Sequence, residues 1–390
     1  MKNDLIKEYY DKIPELLGQS KVSFLIGAGC SACAGLPFMN ELTMKIYELL
    51  DPTKTKDKNE KTAYKLLKEI KACFSGLKNV SIEDYLSEIQ DIDAILQRQK
   101  AKGVDKPVYP PNNGKYEVTH TQLLLKKVKE TISELLGGPI TTIKYHRNFC
   151  KSIHNDLIKG RKRTKHVVNY FVLNYDTLFE DALALEGISF NDGFVGGATA
   201  WWDPLRFGGE ELSLGGRRIL EARVYKLHGS IDWIRPEHCE FPIRMRSTLP
   251  KDEIIGEGEP VVIYPSSVKY KATQYDPYAQ MMSSFRKYLT TTENHVLAIM
   301  GYGFNDEHIN IEIRDAIRNS SGALSVVIFM GSKELPKALN SWITDVNICS
   351  QLLVLGKNGI WKDGEQILAV DEDIDWYRFE FISDLISGVK

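Results

Sequence analysis

The stretch VSFLIGAGCSACAGLP, residues 22–37, decides how the chain is interpreted. VSFLI is short and mostly apolar, which is typical of a buried strand. The following GAGCSA satisfies the G-x-G-x-x-G/A pattern through Gly27, Gly29 and Ala32. In that pattern glycines let the backbone approach a pyrophosphate, and a helix N-terminus meets its charge. The stretch therefore predicts a phosphate-binding turn between a strand and a helix.

Cys30 and Cys33 in the same stretch allow a second interpretation, because Cys-x-x-Cys is also the spacing of a redox pair or half a zinc site. A zinc site needs a second cysteine pair at similar spacing, and the sequence has none. A redox pair stays open. The interpretation that we favour is that both cysteines are small residues in a tight loop.

Length and composition indicate a globular chain. It has 390 residues, of which 43% are hydrophobic and 26% charged, and this predicts one large α/β domain with an insertion, or two domains. The net charge of −2 gives no global attraction to nucleic acid or to anionic membranes. Six scattered cysteines, no secretion signal and no long apolar run predict a cytoplasmic protein without membrane segments.

Strand-like and helix-like patterns alternate along the chain. We predict an α/β fold, a doubly wound parallel sheet with a helical insertion after the first β-α unit. Its domains would be 1–50 with 161–356, the insertion 51–160, and a C-terminal segment 357–390 ending in an amphipathic helix. Strands are predicted at 22–26, 167–173, 222–228, 260–264, 295–301 and 324–330.

The sequence argues against an ordinary dehydrogenase. In the usual dinucleotide-binding fold an Asp or Glu at the end of the second strand, some twenty residues after the glycine loop, holds the adenosine ribose. Here that interval has a helical pattern, and Asp51 closes it next to Pro52 with no strand nearby.

Three further motifs come at the ends of predicted strands: VLNYD at 172–176, YKLHGS at 225–230 and GYGFND at 301–306. Ligands of open α/β sheets bind at these strand ends. Each motif also has a structural interpretation: Asp176 could cap the next helix, His228 could be a structural histidine, and His308 could belong to a helix start.

Together with the glycine loop, the three motifs resemble the sirtuin pattern, and their wording is most similar to the sirtuin-like domains of bacterial antiphage defence proteins. The resemblance implies a Rossmann-like domain that uses NAD as its substrate, with no metal. It also implies one role for each motif. The implied residues are Gly27, Ala28, Gly29 and Ser31 for the diphosphate, Asn174 for the nicotinamide ribose, Asp176 for the nicotinamide amide, His228 as general base, and Gly301, Tyr302 and Gly303 for the adenosine side.

Two departures from the sirtuin deacylases affect the expected reaction. Phe38, Met39 and Asn40 stand where many deacylases have Asp-Phe-Arg, and the four-cysteine zinc module is absent from the sequence. We therefore expect an NAD glycohydrolase that acts in antiphage defence by depleting NAD. The alternatives are a protein deacylase or ADP-ribosyltransferase, and an NAD-sensing subunit without catalysis.

The resemblance also suggests how activity is controlled. Related defence proteins are governed by a C-terminal sensor domain or by a partner such as a HerA-type ATPase. The residues after the last predicted core strand are too few for an ordinary sensor domain, so we expect a homo-oligomer or such a partner. Direct nucleic-acid binding is not expected.

Overall fold

The structure is a computed structural model. It describes residues 2–18, 21–77, 80–105, 116–156, 167–205, 213–214, 217–218, 220–236, 239–246, 259–262, 276–290 and 294–388. The chain divides into two compact units. The first unit is formed by Met1–Leu36, Ile140–Gly229 and Tyr275–Lys390, and the second by Pro37–Pro139 and Ser230–Gln274.

The helices and strands of the described residues are numbered in chain order. The α-helices are α1 Lys2–Leu17, α2 Met39–Leu49, α3 Lys58–Cys73, α4 Ile82–Ala101, α5 Val118–Leu136, α6 Lys144–Lys151, α7 Leu178–Leu185, α8 Tyr278–Leu289, α9 Glu307–Asn319, α10 Lys337–Ile343 and α11 Phe379–Ile386. The strands are β1 Val22–Ile26, β2 Val168–Val172, β3 Phe190–Asn191, β4 Phe194–Gly196, β5 Thr199–Trp202, β6 Ser213–Leu214, β7 Arg217–Arg218, β8 Ala222–Lys226, β9 Gly229–Arg235, β10 Ile243–Met245, β11 Glu259–Val262, β12 His295–Met300, β13 Leu324–Met330, β14 Leu352–Gly356, β15 Gly359–Lys362 and β16 Glu365–Ala369.

The first unit is built on a mixed sheet, which has nine strands within the described residues. Their order is β16-β15-β14-β13-β12-β1-β2-β8-β3. The strands from β14 to β3 run parallel, and only β15 and β16 are antiparallel to their neighbours. This parallel-rich sheet is consistent with the predicted Rossmann-like fold.

Both faces of this sheet are covered, because successive residues of a strand point to opposite faces. On one face Phe24 stacks on Tyr170 with ring centres 5.3 Å apart, and Phe149 of α6 meets the edge of Phe24. On the other face Phe171 meets Phe285 of α8 at 4.7 Å. Burial on both sides explains why β1 and β2 are buried at every position.

The predicted strands of the main sheet are found within two residues of their predicted ends. The exception is 260–264: its described part, β11, is not a strand of the main sheet, and 263–264 lie outside the described residues. The strands β14, β15 and β16 were not predicted.

The second unit contains the helices α2 to α5 and the antiparallel pair β9 and β10, in which Arg244 lies opposite Trp233. Helix α4 begins with a capping box: Ser81 N–H donates to Asp84 Oδ2 at 2.7 Å, and Glu83 N–H donates to Ser81 Oγ at 3.2 Å. The boundaries 51–160, 161–356 and 357–390 remain predictions.

The chain leaves the first unit after Leu36 and returns to it at Ile140, and these two segments of the first unit are joined by a hydrogen bond. The N–H of Thr141 donates to Ala34 O at 2.8 Å, and Gly35 between these segments has a left-handed φ of 85°. A Cβ on Gly35 would lie 2.4 Å from Thr141 Oγ1, so the two segments are in close contact.

No helix within the described ranges is long and apolar enough to cross a bilayer.

Candidate active site

The sheet register brings the sequence motifs together at one edge. Ile26 of β1 lies opposite Met300 of β12 on one side and Val172 of β2 on the other. Val172 in turn lies opposite Lys226 of β8. Because these strands are parallel, the residues that follow them lie at the same, carboxyl edge of the sheet.

The glycines of the loop are explained first by packing. A Cβ on Gly27 would lie 2.4 Å from Gly301 O, and one on Gly29 would lie 2.7 Å from Gly301 Cα. The contact is also hydrogen-bonded, since Gly27 N–H donates to Met300 O and Gly29 N–H to Gly301 O, both at 2.9 Å. Gly301 itself has a φ of 63°, a conformation that favours glycine.

The loop does not enter an α-helix directly. Residues 28–38, all described, form two short 3-10 turns, Ala28–Cys30 and Ala32–Ala34, and α2 begins only at Met39. The helix N-terminus that the glycine pattern predicts beside the loop is therefore replaced by these turns. The N–H groups of Gly27 and Gly29 and the hydroxyl of Ser31 already donate within the protein, so in this arrangement they are not available to a phosphate.

Ser31, Asn174 and Asp176 form one buried hydrogen-bonded cluster. Asn174 Nδ2 donates to Ser31 Oγ at 2.7 Å, and Ser31 Oγ donates to Asp176 Oδ2 at 2.7 Å. The three side chains are 4–6% exposed. Residues separated by more than 140 positions are thereby fixed to each other at the carboxyl edge of the sheet.

Asn174 Oδ1 is the polar side-chain atom of this cluster that accepts no hydrogen bond from the described residues. It is buried, and it has no hydrogen-bond partner within the described residues. Buried polar atoms are nearly always satisfied, so an unsatisfied one at a strand end marks a place where a ligand or water donates. Because Ser31 Oγ accepts from the amide nitrogen, the orientation of the Asn174 amide is determined by the network.

Asp176 also has a structural role. Its Oδ1 accepts a hydrogen bond from Leu178 N–H at 3.1 Å, at the start of α7, while Oδ2 accepts from Ser31. Asp176 thus contacts the first residue of α7, although the N-cap residue of this helix is Thr177, and the contact of Asp176 with nicotinamide remains a proposal.

Lys226 and Glu180 support this cluster from within the protein. Lys226 Nζ donates to the backbone oxygen of Asp176, and it lies 3.5 Å from Glu180 Oε1. Both side chains are buried, at 1% and 5% exposure. The buried ammonium group therefore ties β8 to the turn that carries Asn174 and Asp176.

His228 follows β8 and is 3% exposed. Its ring centre lies 5.7 Å from that of His308 in α9. His308 lies in the first turn of α9, which agrees with its interpretation as part of a helix start, and it also lies beside His228. In the sequence, His308 follows the GYGFND motif by two residues, and this was the signal that could have placed it near the site.

The Gly301-Tyr302-Gly303 segment is held onto α9. The Tyr302 hydroxyl donates to Asp306 O at 3.1 Å and to Asn310 Oδ1 at 3.0 Å. Asn310 Nδ2 donates to Phe304 O at 2.9 Å. Burial raises the pKa of Tyr302 well above its usual range, so its hydroxyl stays a donor. The side chain of Tyr302 thus shapes the loop, and the predicted adenosine contact would come from its backbone or ring.

The cysteine pair lies in the turns behind the glycine loop. All six cysteines are free thiols, and Cys33 Sγ donates to Cys30 O at 3.4 Å. Burial raises the pKa of Cys30, and burial followed by the charge of Glu380 raises the pKa of Cys33 to about 12. Reactive thiols have lowered pKa values, so these properties favour the structural interpretation over a redox pair.

Within the described part of the chain, no group of three or more His, Cys, Asp or Glu side chains could hold a metal ion.

One protein family is similar to the part of the chain that carries several of these residues. Residues 168–350 match the SIR2-like domain. The match includes Asn174, Asp176, His228 and Gly301, but it begins after the glycine loop and covers somewhat less than half of the chain. No curated protein matches the chain. The SIR2-like match supports the sirtuin resemblance and suggests NAD-related activity of the sirtuin superfamily.

The first prediction concerns the contact between the glycine loop and Gly301. Gly301→Ala places a Cβ 2.5 Å from Cys30 N, in addition to the strain of a positive φ. Gly322→Ala is the matched control, because Gly322 has a φ of 91° but no atom within 4 Å of a Cβ. We expect the control to lose about 1–2 kcal/mol of unfolding free energy and Gly301→Ala roughly 1–3 kcal/mol more. Denaturant unfolding measures both, and equal losses would contradict the clash.

The second prediction concerns the buried ammonium group. Removing one partner of a buried pair costs about 3–5 kcal/mol because the other charge is left unpaired. We expect Lys226→Met to lose unfolding free energy in this range. Arg318→Met, in the exposed pair with Asp345 at 2.7 Å, should lose less than about 1 kcal/mol. Similar losses for the two variants in chemical denaturation would show that Lys226 does not support the turn.

The third prediction concerns thiol reactivity. Because the pKa of Cys33 is about 12 and that of Cys30 is also raised, both thiols stay protonated at neutral pH. In the native protein, iodoacetamide at pH 7.5 should label the exposed Cys73 and Cys239 at least about tenfold faster than Cys30 and Cys33. Peptide mass spectrometry over time gives the four rates. Rapid labelling of Cys33, or a Cys30–Cys33 disulfide after mild oxidation, would restore the redox interpretation.

Proposed function

We propose that this protein is an NAD+ glycohydrolase, which cleaves NAD+ to nicotinamide and ADP-ribose. The observation that carries the proposal is the oriented Asn174 amide at the carboxyl edge of the sheet. Its nitrogen is held by Ser31, and its buried oxygen has no partner among the described residues. The SIR2-like match, which includes Asn174 but not Ser31, supports NAD as the molecule that meets this oxygen.

The proposed roles follow from the chemistry of each group. Asn174 Oδ1 would accept a hydrogen bond from a hydroxyl of the nicotinamide ribose, or from the water that attacks it. The diphosphate would lie along the loop Gly27, Ala28 and Gly29 with Ser31. Asp176 would contact the nicotinamide amide.

His228 would be the general base, the role that histidine most often takes in proton transfer. The Gly301-Tyr302-Gly303 segment would line the adenosine side of the substrate.

The reaction needs little beyond positioning and a base. The bond between the anomeric carbon and the pyridinium nitrogen breaks, and its electron pair leaves with nicotinamide, which becomes neutral. A water oxygen forms the new bond to the anomeric carbon, and its proton passes to His228. The products are nicotinamide, ADP-ribose and one proton. Orientation and stabilisation of the developing positive charge supply the acceleration.

The biological role that we propose is antiphage defence by NAD depletion, controlled by homo-oligomerisation or by a partner such as a HerA-type ATPase. This part rests on the resemblance of the four motifs to sirtuin-like defence domains.

The fourth prediction tests the cleavage. Purified protein is incubated with NAD+, and nicotinamide and ADP-ribose are quantified by chromatography. We expect His228→Ala to lower the rate by about 10²–10⁴-fold and Asn174→Ala by about 10²-fold or more. Asn319→Ala and His120→Ala, which change the same residue types at positions outside the cluster, should keep the wild-type rate.

Several outcomes would refute this assignment. Wild-type consumption of NAD+ by either site variant would remove its residue from the reaction. Nicotinamide release that requires an acylated peptide would indicate deacylation, and NAD+ binding without turnover at any protein concentration would indicate a sensor. A rate per molecule that rises with protein concentration is expected if assembly controls the site, and a constant rate contradicts that form of control.

A further inference from the structure

A cavity in the second unit is not used by the proposed NAD cleavage. It has a volume of about 580 Å³, within the range of small-molecule sites. Its walls come from α2, from the last turn of α3 with the residues after it, and from the start of α4. The lining residues that carry the argument are Tyr47, Lys68, Lys71, Phe74, Leu77 and Tyr85.

The charged lining of the cavity is cationic. Lys68 and Lys71 line it, and the described lining residues include no Asp or Glu. Lys68 is paired with Asp51 at 2.8 Å, and this ammonium group lowers the pKa of Asp51. No carboxylate pairs with Lys71 in the described part of the chain. At least one ammonium charge is therefore left for an anion.

The apolar lining is aromatic. Lys71 Nζ lies 3.5 Å from the centre of the Tyr47 ring, so the ammonium group and this ring share one wall. Phe74 and Tyr85 contact each other with ring centres 5.6 Å apart. Leu77, which is 64% exposed, adds an aliphatic side chain to the same lining.

We propose that this cavity binds a nucleoside phosphate, with the base against Tyr47, Phe74 and Leu77 and the phosphate at Lys68 and Lys71. Each part of the lining excludes a simpler ligand. A free phosphate would leave the rings and Leu77 uncovered, and a hydrocarbon would leave the ammonium group of Lys71 without an anion. Asn40 and Ser75, which also line the cavity, provide polar side chains for the sugar hydroxyls.

The test uses AMP, adenosine and inorganic phosphate as probes in equilibrium dialysis with the full chain. The double variant Lys68→Gln/Lys71→Gln removes both ammonium groups. The matched control Lys61→Gln/Lys65→Gln makes the same charge change at two exposed lysines of the same helix. We expect the first double variant to bind AMP at this site at least about tenfold more weakly, while the control binds like the wild type.

AMP is also a fragment of NAD, so it can occupy the proposed NAD site too. AMP binding at the NAD site should persist in Lys68→Gln/Lys71→Gln. The number of AMP sites per chain that this variant loses is therefore the number contributed by the cavity alone. Unchanged AMP affinity and stoichiometry in this variant would overturn the proposal. Inorganic phosphate or adenosine binding as tightly as AMP would overturn it as well, because one half of the lining would then contribute nothing.

Discussion

The close approach of the glycine loop to Gly301 is the constraint on which the site depends. Gly27 and Gly29 press against the backbone of Gly301 at distances that leave no room for a Cβ on any of the three. The strands β1 and β12 are paired neighbours, and the residues that follow them remain hydrogen-bonded to each other past the ends of the strands. The loop is therefore positioned by the sheet itself, and Ser31 is placed where it reaches the next strand.

Hydrogen bonds connect Ser31 to the ends of the neighbouring strands β2 and β8. Ser31 holds Asn174 and Asp176 at the end of β2, and Lys226 at the end of β8 holds the backbone of the same turn. A buried network that is fully connected is rigid, and one that leaves a single acceptor open presents that atom in a fixed direction. Here Asn174 Oδ1 is such an atom. In the proposed reaction, this fixed direction would supply preorganisation for cleavage of the glycosidic bond.

Much of the sheet could be predicted from the sequence, because apolar strands buried on both faces have a strong local pattern. The hairpin of β15 and β16 was missed although its turn, Asp363-Gly364, is a dipeptide typical of tight turns, and both residues have positive φ. The strand-end positions of Asn174 and His228 followed from the motifs. The link of Ser31 to Asn174 joins residues far apart in sequence, and the burial that raises the pKa of Cys33 depends on tertiary packing, so neither could be derived from local patterns.

The hydrogen bond between Thr141 and Ala34 has a consequence for chain entropy. It holds together the two points at which the chain leaves and re-enters the first unit, so the intervening segment is a closed loop whatever its content. The entropy of closing such a loop rises by only about 0.6 kcal/mol for each doubling of its length. A junction of this kind lets the segment between Leu36 and Ile140 lengthen, shorten or diverge in sequence at little cost to the sheet on which the glycine loop rests.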